Sequence, residues 1–128
     1  MKTELQDNRP IFLQIKETIE NDIMTGKLGE DERIPSTNEL VAFYNINPVT
    51  VMKGVNLLVE EGTVYKKRGI GMFVSPNAKE KLLNMNQSSF FDELIKPLVE
   101  RSKQLDISKA TLVEMIANAW EGGDENAD

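Results

Sequence analysis

Three groups of side chains in this 128-residue chain could do chemistry. The first is Lys66-Lys67-Arg68, the one place where even two basic residues are adjacent, with Gly69 and Gly71 beside it. Clustered cations suit phosphate groups, and the glycines permit positive φ and a close approach of backbone to a neighbour. The second is a stripe of residues that are small, polar or cationic, Val49, Thr50, Lys53 and Asn56, following Asn47. Near a helix start, where N–H groups are free, such a stripe suits the edges of bases in a groove. The third is Glu30-Asp31-Glu32, a carboxylate cluster that a hydrolase could use. Each has a plainer reading: a charged edge strand that discourages aggregation, a solvated helix face, and a solvated acidic loop.

The rest of the inventory narrows the chemistry. The chain has no His and no Cys, so the commonest general bases, nucleophiles and transition-metal ligands are missing. Catalysis would fall to carboxylates, Lys or Ser, and we expect no enzyme, no cofactor and no metal site. The absence of Cys also excludes a disulfide framework.

The elements that must position these groups are marked by helix punctuation. Phe12, Ile15, Ile19 and Ile23 recur at three- and four-residue spacing, predicting a first helix with Pro10 at N1 and Gly26 just past its end. Residues 1–9 read as a flexible arm. Ser36 with Glu39 is a capping box opening a second helix to about Tyr44, which offers Leu40, Val41 and Phe43 to a core. Asn45 suits its left-handed end, and Asn47-Pro48 caps a third helix that Gly62 ends. Val51, Val55 and Leu58 form that helix's buried face. Two helices joined by about three residues must cross steeply, as in a helix-turn-helix. Residues 63–66 and 71–74 then make a two-stranded hairpin with the basic triplet near its tip.

A second unit follows. Pro76-Asn77, with Glu80 three residues on, starts a helix whose apolar face includes Phe91, Leu94, Ile95 and Leu98. Pro97 should kink it near Glu93–Lys96; alternatively it breaks around Met85–Ser89. Ser108 caps a last helix carrying Leu112, Met115, Ile116 and Trp120. Two such helices cannot close a core alone. Their faces meet either a second copy of the chain, as a symmetric dimer, or the chain's own N-terminal unit.

Net charge is −6, of which residues 77–128 hold −4, so local charge rather than the total governs any nucleic-acid contact. No run of 18 apolar residues occurs, so no membrane contact is expected, and the polar start MKTELQDNRP is unlike a signal peptide. The expected compartment is the cytoplasm.

Taken in order, RPIFLQIKETI, R-I-P-S-x-x-E-L, N-P-x-T-V, L-x-x-E-G and R-G-x-G-x-F-V resemble the winged helix-turn-helix domain of GntR-type bacterial transcription regulators. The short helical tail is similar to that of the YtrA-like subgroup. The resemblance implies a fold that is mainly α with a small β-hairpin: a winged helix-turn-helix DNA-binding domain over 9–75, a two-helix dimerisation unit over 76–121, and a disordered acidic tail over 122–128. It implies a dimeric repressor on a palindromic double-stranded DNA operator, with half-sites about one helical turn apart or a multiple of it. By motif, Arg33 corresponds to the phosphate-clamping Arg, Ser36, Thr37 and Asn38 to backbone contacts at the start of helix two, and Asn47, Val49, Thr50 and Lys53 to the recognition helix. Lys67, Arg68 and Gly69 correspond to the wing tip. Asn38 stands where relatives often carry Arg, Glu30-Asp31 where Pro-Gly is usual, and Ile70 where a polar or basic residue is common; Val49 stands where Asn is frequent, exchanging a hydrogen bond for an apolar contact such as one with a thymine methyl. The rival is a winged helix that docks on protein and binds no DNA. No feature of the tail points to a small-molecule effector.

Overall fold

The computed structural model describes Met1 and residues 4–122. In chain order the elements are α1 (Ile11–Met24), α2 (Thr37–Tyr44), α3 (Pro48–Glu60), β1 (Val64–Lys67), β2 (Gly71–Val74) and α4 (Ala78–Phe90), then a π-helical turn (Phe91–Ile95), α5 (Lys96–Gln104) and α6 (Lys109–Gly122). This is the mainly α class with one small hairpin. The chain divides into two compact units, Met1–Met85 and Asn86 onward, so the division falls later than residue 75. Ala78 and Leu82 of α4 belong to the core of the first unit. Beyond Gly122, the expected acidic tail lies outside the described residues.

Local chemistry explains where the first three helices start and stop. Ser36 Oγ accepts the Glu39 N–H at 3.1 Å while the Glu39 carboxylate accepts the Ser36 N–H at 3.0 Å, completing the capping box. Asn45 takes the left-handed conformation (φ 54°, ψ 53°) that stops α2. Two residues later, Asn47 Oδ1 accepts the Val49 N–H at 2.8 Å, with Pro48 at N1 of α3. Pro10 does not sit at N1 of α1 as expected. Its ψ of 128° is extended, which makes it the N-cap, its carbonyl accepting the Gln14 N–H at 3.3 Å.

The core of the first unit is built from the predicted stripes. Ile15, Ile19 and Ile23 of α1, Leu40 of α2, and Val51, Val55 and Leu58 of α3 are all buried, together with Ile34, Val64 and Val74. Phe43 is not among them and is half exposed. On so short a helix the buried ridge runs through Leu40 and Tyr44 at i, i+4, with Val41 at its flank, and Phe43 falls beyond it. Residues 4–9 are also not a free arm. The buried Gln14 amide donates to the Gln6 and Arg9 carbonyls and accepts the Gln6 N–H, while Leu5 packs against the core.

The hairpin pairs Val64 with Val74, Tyr65 with Phe73, Lys66 with Met72 and Lys67 with Gly71. The loop before α2 adds a third, short edge. The Asp31 and Ile34 N–H groups donate to the Val74 and Met72 carbonyls at 2.8 and 2.9 Å, and the Val74 N–H donates to Glu32 O at 2.9 Å. Arg33 thereby bridges Phe73. The sequence predicts an extended piece here but carries no signal of its pairing partner.

α4 runs unbroken through Met85–Ser89, and the helix changes character only at Phe91–Ile95. Pro97 has no N–H for the Glu93 carbonyl and its ring crowds that carbonyl, so the preceding turn widens and the Lys96 N–H reaches Phe91 O instead. Ser108 caps α6 as expected, its Oγ accepting the Thr111 N–H at 3.1 Å. Among the described residues of the second unit only Ser102 is buried. Phe91, Leu94, Leu98, Met115 and Ile116 are exposed, and Trp120 is 87% exposed.

Candidate nucleic-acid interface

Burial of one side of α3 turns the other outward. With Val51, Gly54, Val55 and Leu58 inside, Asn47, Val49, Lys53 and Asn56 stand exposed, while Thr50 is half-buried. Lys53 is not loose. Its Nζ sits 4.1 Å from the centroid of the Phe12 ring, a cation–π contact worth about 0.5–1 kcal/mol at such an exposed site. A phosphate or a base edge can displace a hold of that size. The helices come close here because Gly54 faces the Phe12 backbone, where a β-carbon would lie 2.6 Å from the Phe12 carbonyl oxygen.

Arg33 is aimed by two neighbours. Its Nη1 lies 3.6 Å from Glu39 Oε1, the same oxygen that accepts the Ser36 N–H. On the other side its Nε passes so near Gly71 that an added β-carbon would stand 2.8 Å away. The guanidinium therefore spans from the start of α2 to the base of the wing. The Glu39 carboxyl is held below the usual carboxylate range, first by the Ser36 backbone N–H, then by the Ser36 hydroxyl, with Arg33 adding attraction. Ser36 and Thr37 are half-buried at the first turn of α2, and Asn38 is exposed beside them.

At the wing, Tyr65 stacks on Phe73 with centroids 5.8 Å apart, and Lys67 Nζ lies 4.7 Å from the Phe73 centroid. Arg68 and Gly69 are exposed at the tip, where Gly69 has φ +76° and the Ile70 N–H closes the turn onto Lys67 O at 3.0 Å. Lys67 thus caps an aromatic pair as well as offering charge.

The three carboxylates of the acidic loop are employed in holding it. Glu30 accepts the Asn77 N–H at 2.6 Å, Asp31 the Tyr65 hydroxyl at 2.7 Å and Glu32 the Gly29 N–H at 3.0 Å. Asp31 itself has φ +61°, a conformation glycine adopts freely. No metal-holding group of His, Cys, Asp and Glu occurs among the described residues. These contacts make the cluster a latch between the loop, the wing and the start of α4.

Sequence reasoning missed Met52, 48% exposed on the outward side of α3 beside Val49, and the parts played by Phe12 and Gly71. The i, i+3 spacing of Val49 and Met52 carries the signal for the first. The other two depend on pairings between distant segments.

Three helices, a paired hairpin and an outward third helix with a capped start define a winged helix-turn-helix protein. The profile described as "Bacterial regulatory proteins, gntR family" matches residues 12–74. A solved structure of a GntR-family transcriptional regulator from Bacteroides thetaiotaomicron is similar at TM-score 0.63 and 30% identity, over 92% of this chain and 99% of that one. The chain belongs to the GntR family of bacterial regulatory proteins, which are regulators rather than enzymes. The uncharacterised HTH-type transcriptional regulator YurK of Bacillus subtilis is 39% identical over 85 residues, which is 66% of this chain. This chain spans only 35% of YurK. The AraR DNA-binding domain, solved in complex with operator ORE1, is similar at TM-score 0.51 and 32% identity, over 59% of this chain and 94% of that one. Among the described residues no helix is long and apolar enough to cross a membrane.

Proposed function

We propose that the protein is a homodimeric, sequence-specific DNA-binding repressor of the YtrA-like subgroup, acting in the cytoplasm on a palindromic double-stranded operator. The observation that carries the reading is the outward start of α3, capped by Asn47 and exposed at Val49, Met52 and Lys53, in the same unit as a basic wing. Arg33, Ser36, Thr37, Asn38, Lys67, Arg68 and Gly69 hold backbone phosphates, and Asn47, Val49, Thr50 and Lys53 confer sequence preference. The AraR domain bound to its operator supports this assignment by similarity over the first unit. Exposed Phe91, Leu94, Leu98, Met115, Ile116 and Trp120, with half-buried Ile95 and Leu112, support self-association of the second unit. Repression then follows from occlusion of a promoter by the bound dimer.

Selection of duplexes from a random library, followed by titration of the winners at several salt concentrations, tests the reading. Salt-sensitive binding to a recurring inverted repeat is expected. Failure to enrich any duplex, together with recovery of a stable protein partner, would replace it with the protein-docking winged helix.

A further inference from the structure

Val49 and Met52 stand on the wrong side of α3 for packing. Val49 is 72% exposed and Met52 48% exposed, whereas the core-facing side of the helix is filled by Val51, Val55 and Leu58. They are three residues apart in the first turns of the helix, so their side chains are neighbours on one surface. Some of the polar groups around them are partly engaged or turned aside. The Val49 N–H is spent on Asn47 Oδ1 at 2.8 Å, Thr50 is half-buried, and Lys53 leans back onto Phe12. Beside the exposed Asn47 and Lys53, the start of α3 therefore presents a small apolar surface outward.

We infer that Val49 and Met52 are specificity-determining residues that read the 5-methyl groups of thymines in the major groove. This rests on the proposed DNA-binding role and names what that site recognises. Of all the groups on the major-groove edges of the four base pairs, the thymine methyl is the apolar one. Burying it against a valine and the flexible thioether chain of methionine removes apolar area from water on both sides. An A·T pair in place of T·A presents the methyl on the opposite strand, so the contact also fixes strand orientation at the positions read.

The test uses the full chain and duplexes enriched from a random library, resynthesised with deoxyuridine in place of one thymidine at a time. Deoxyuridine pairs as thymidine does and lacks only the methyl. At one or two positions in each half-site, affinity measured by fluorescence anisotropy is expected to fall about three- to fivefold per methyl removed. Val49→Asn, similar in size but with an amide in place of both methyls, and Met52→Gln should each abolish the difference between the thymidine and deoxyuridine duplexes at one of these positions. Duplex binding by the wild type with no methyl effect at any position overturns the inference alone. So does a methyl effect that survives both substitutions. Enrichment of no duplex at all overturns the DNA-binding reading and the inference with it.

Discussion

Arg33 lies across Gly71 so closely that a β-carbon at position 71 would stand 2.8 Å from its Nε and 3.4 Å from its Cδ. Gly71 also has φ +149°, where side chains are rarely found. The position thus demands glycine twice: once for its own backbone and once for the path of the guanidinium. The backbone demand alone costs a substituted residue about 1–3 kcal/mol. Gly71→Ala should lower Tm and also weaken DNA binding about tenfold by displacing Arg33. Arg33→Ala should weaken binding without the loss in Tm. In a double-mutant cycle read by DNA affinity, the two effects should fail to add. Strict additivity would show that Gly71 does not position Arg33.

At the other close approach, Gly54→Ala should be among the most destabilising single substitutions in the first unit. The β-carbon would lie 2.6 Å from the Phe12 carbonyl oxygen, backbone that cannot rotate away as a side chain can. Either α1 and α3 separate or the helix shifts, at a cost of about 1–3 kcal/mol. Urea denaturation would read this as a lower midpoint with an unchanged slope. A wild-type midpoint would contradict the close packing of these helices.

Phe12→Leu probes the same junction differently. The ring holds Lys53 at 4.1 Å, and leucine keeps an apolar side chain there while removing the π face. If the ring restrains Lys53, its loss frees the ammonium and changes preference among related operators more than it changes total affinity. Competition between two enriched duplexes measures this. A uniform change for both would assign Phe12 to packing alone.

The helix boundaries were legible because each has a local cause. Ser36 with Glu39, Asn45, Asn47-Pro48 and Gly62 act within a few residues of themselves, and the structure places each helix end where they sit. The apolar stripes of α1 and α3 were equally plain. What escaped was non-local. That Asp31–Ile34 would pair with β2, or that Phe12 would lie under Lys53, depends on segments about 40 residues apart in sequence, and no spacing rule encodes it. The exposure of Phe43 has another source, since an eight-residue helix gives too few positions to fix the centre of its buried face.

The capping box predicts an acid limb to stability. The Ser36 backbone N–H, the Ser36 hydroxyl and Arg33 together hold the Glu39 carboxyl below its ordinary value of 4.5. A carboxyl depressed on folding contributes stability that is present above its unfolded value and is lost as pH falls through the folded one. Tm should therefore drop on acidification below about pH 4.5, and Glu39→Gln should flatten that portion of the curve. Ser36→Ala, which removes the N-cap, should cost about 1 kcal/mol at neutral pH. An acid limb unchanged by Glu39→Gln would mean that other carboxyls carry it.

The proposed self-association of the second unit is testable at its apolar face. Trp120 is 87% exposed, and Leu94 and Ile116 are 56% and 44% exposed, so a charge at these positions leaves the protomer's own packing intact. In a symmetric interface each such charge is buried twice and unpaired, which association cannot tolerate. Leu94→Glu with Ile116→Glu should shift the mass at micromolar concentration from two chains to one while leaving the helical circular-dichroism signal unchanged. Affinity for an inverted-repeat duplex should fall on the order of a hundredfold, because the second half-site is no longer delivered by the first. Affinity for a single half-site should not change. A wild-type chain that is monomeric at these concentrations would overturn the dimer, and a charged variant that stays dimeric would place the contact between copies elsewhere.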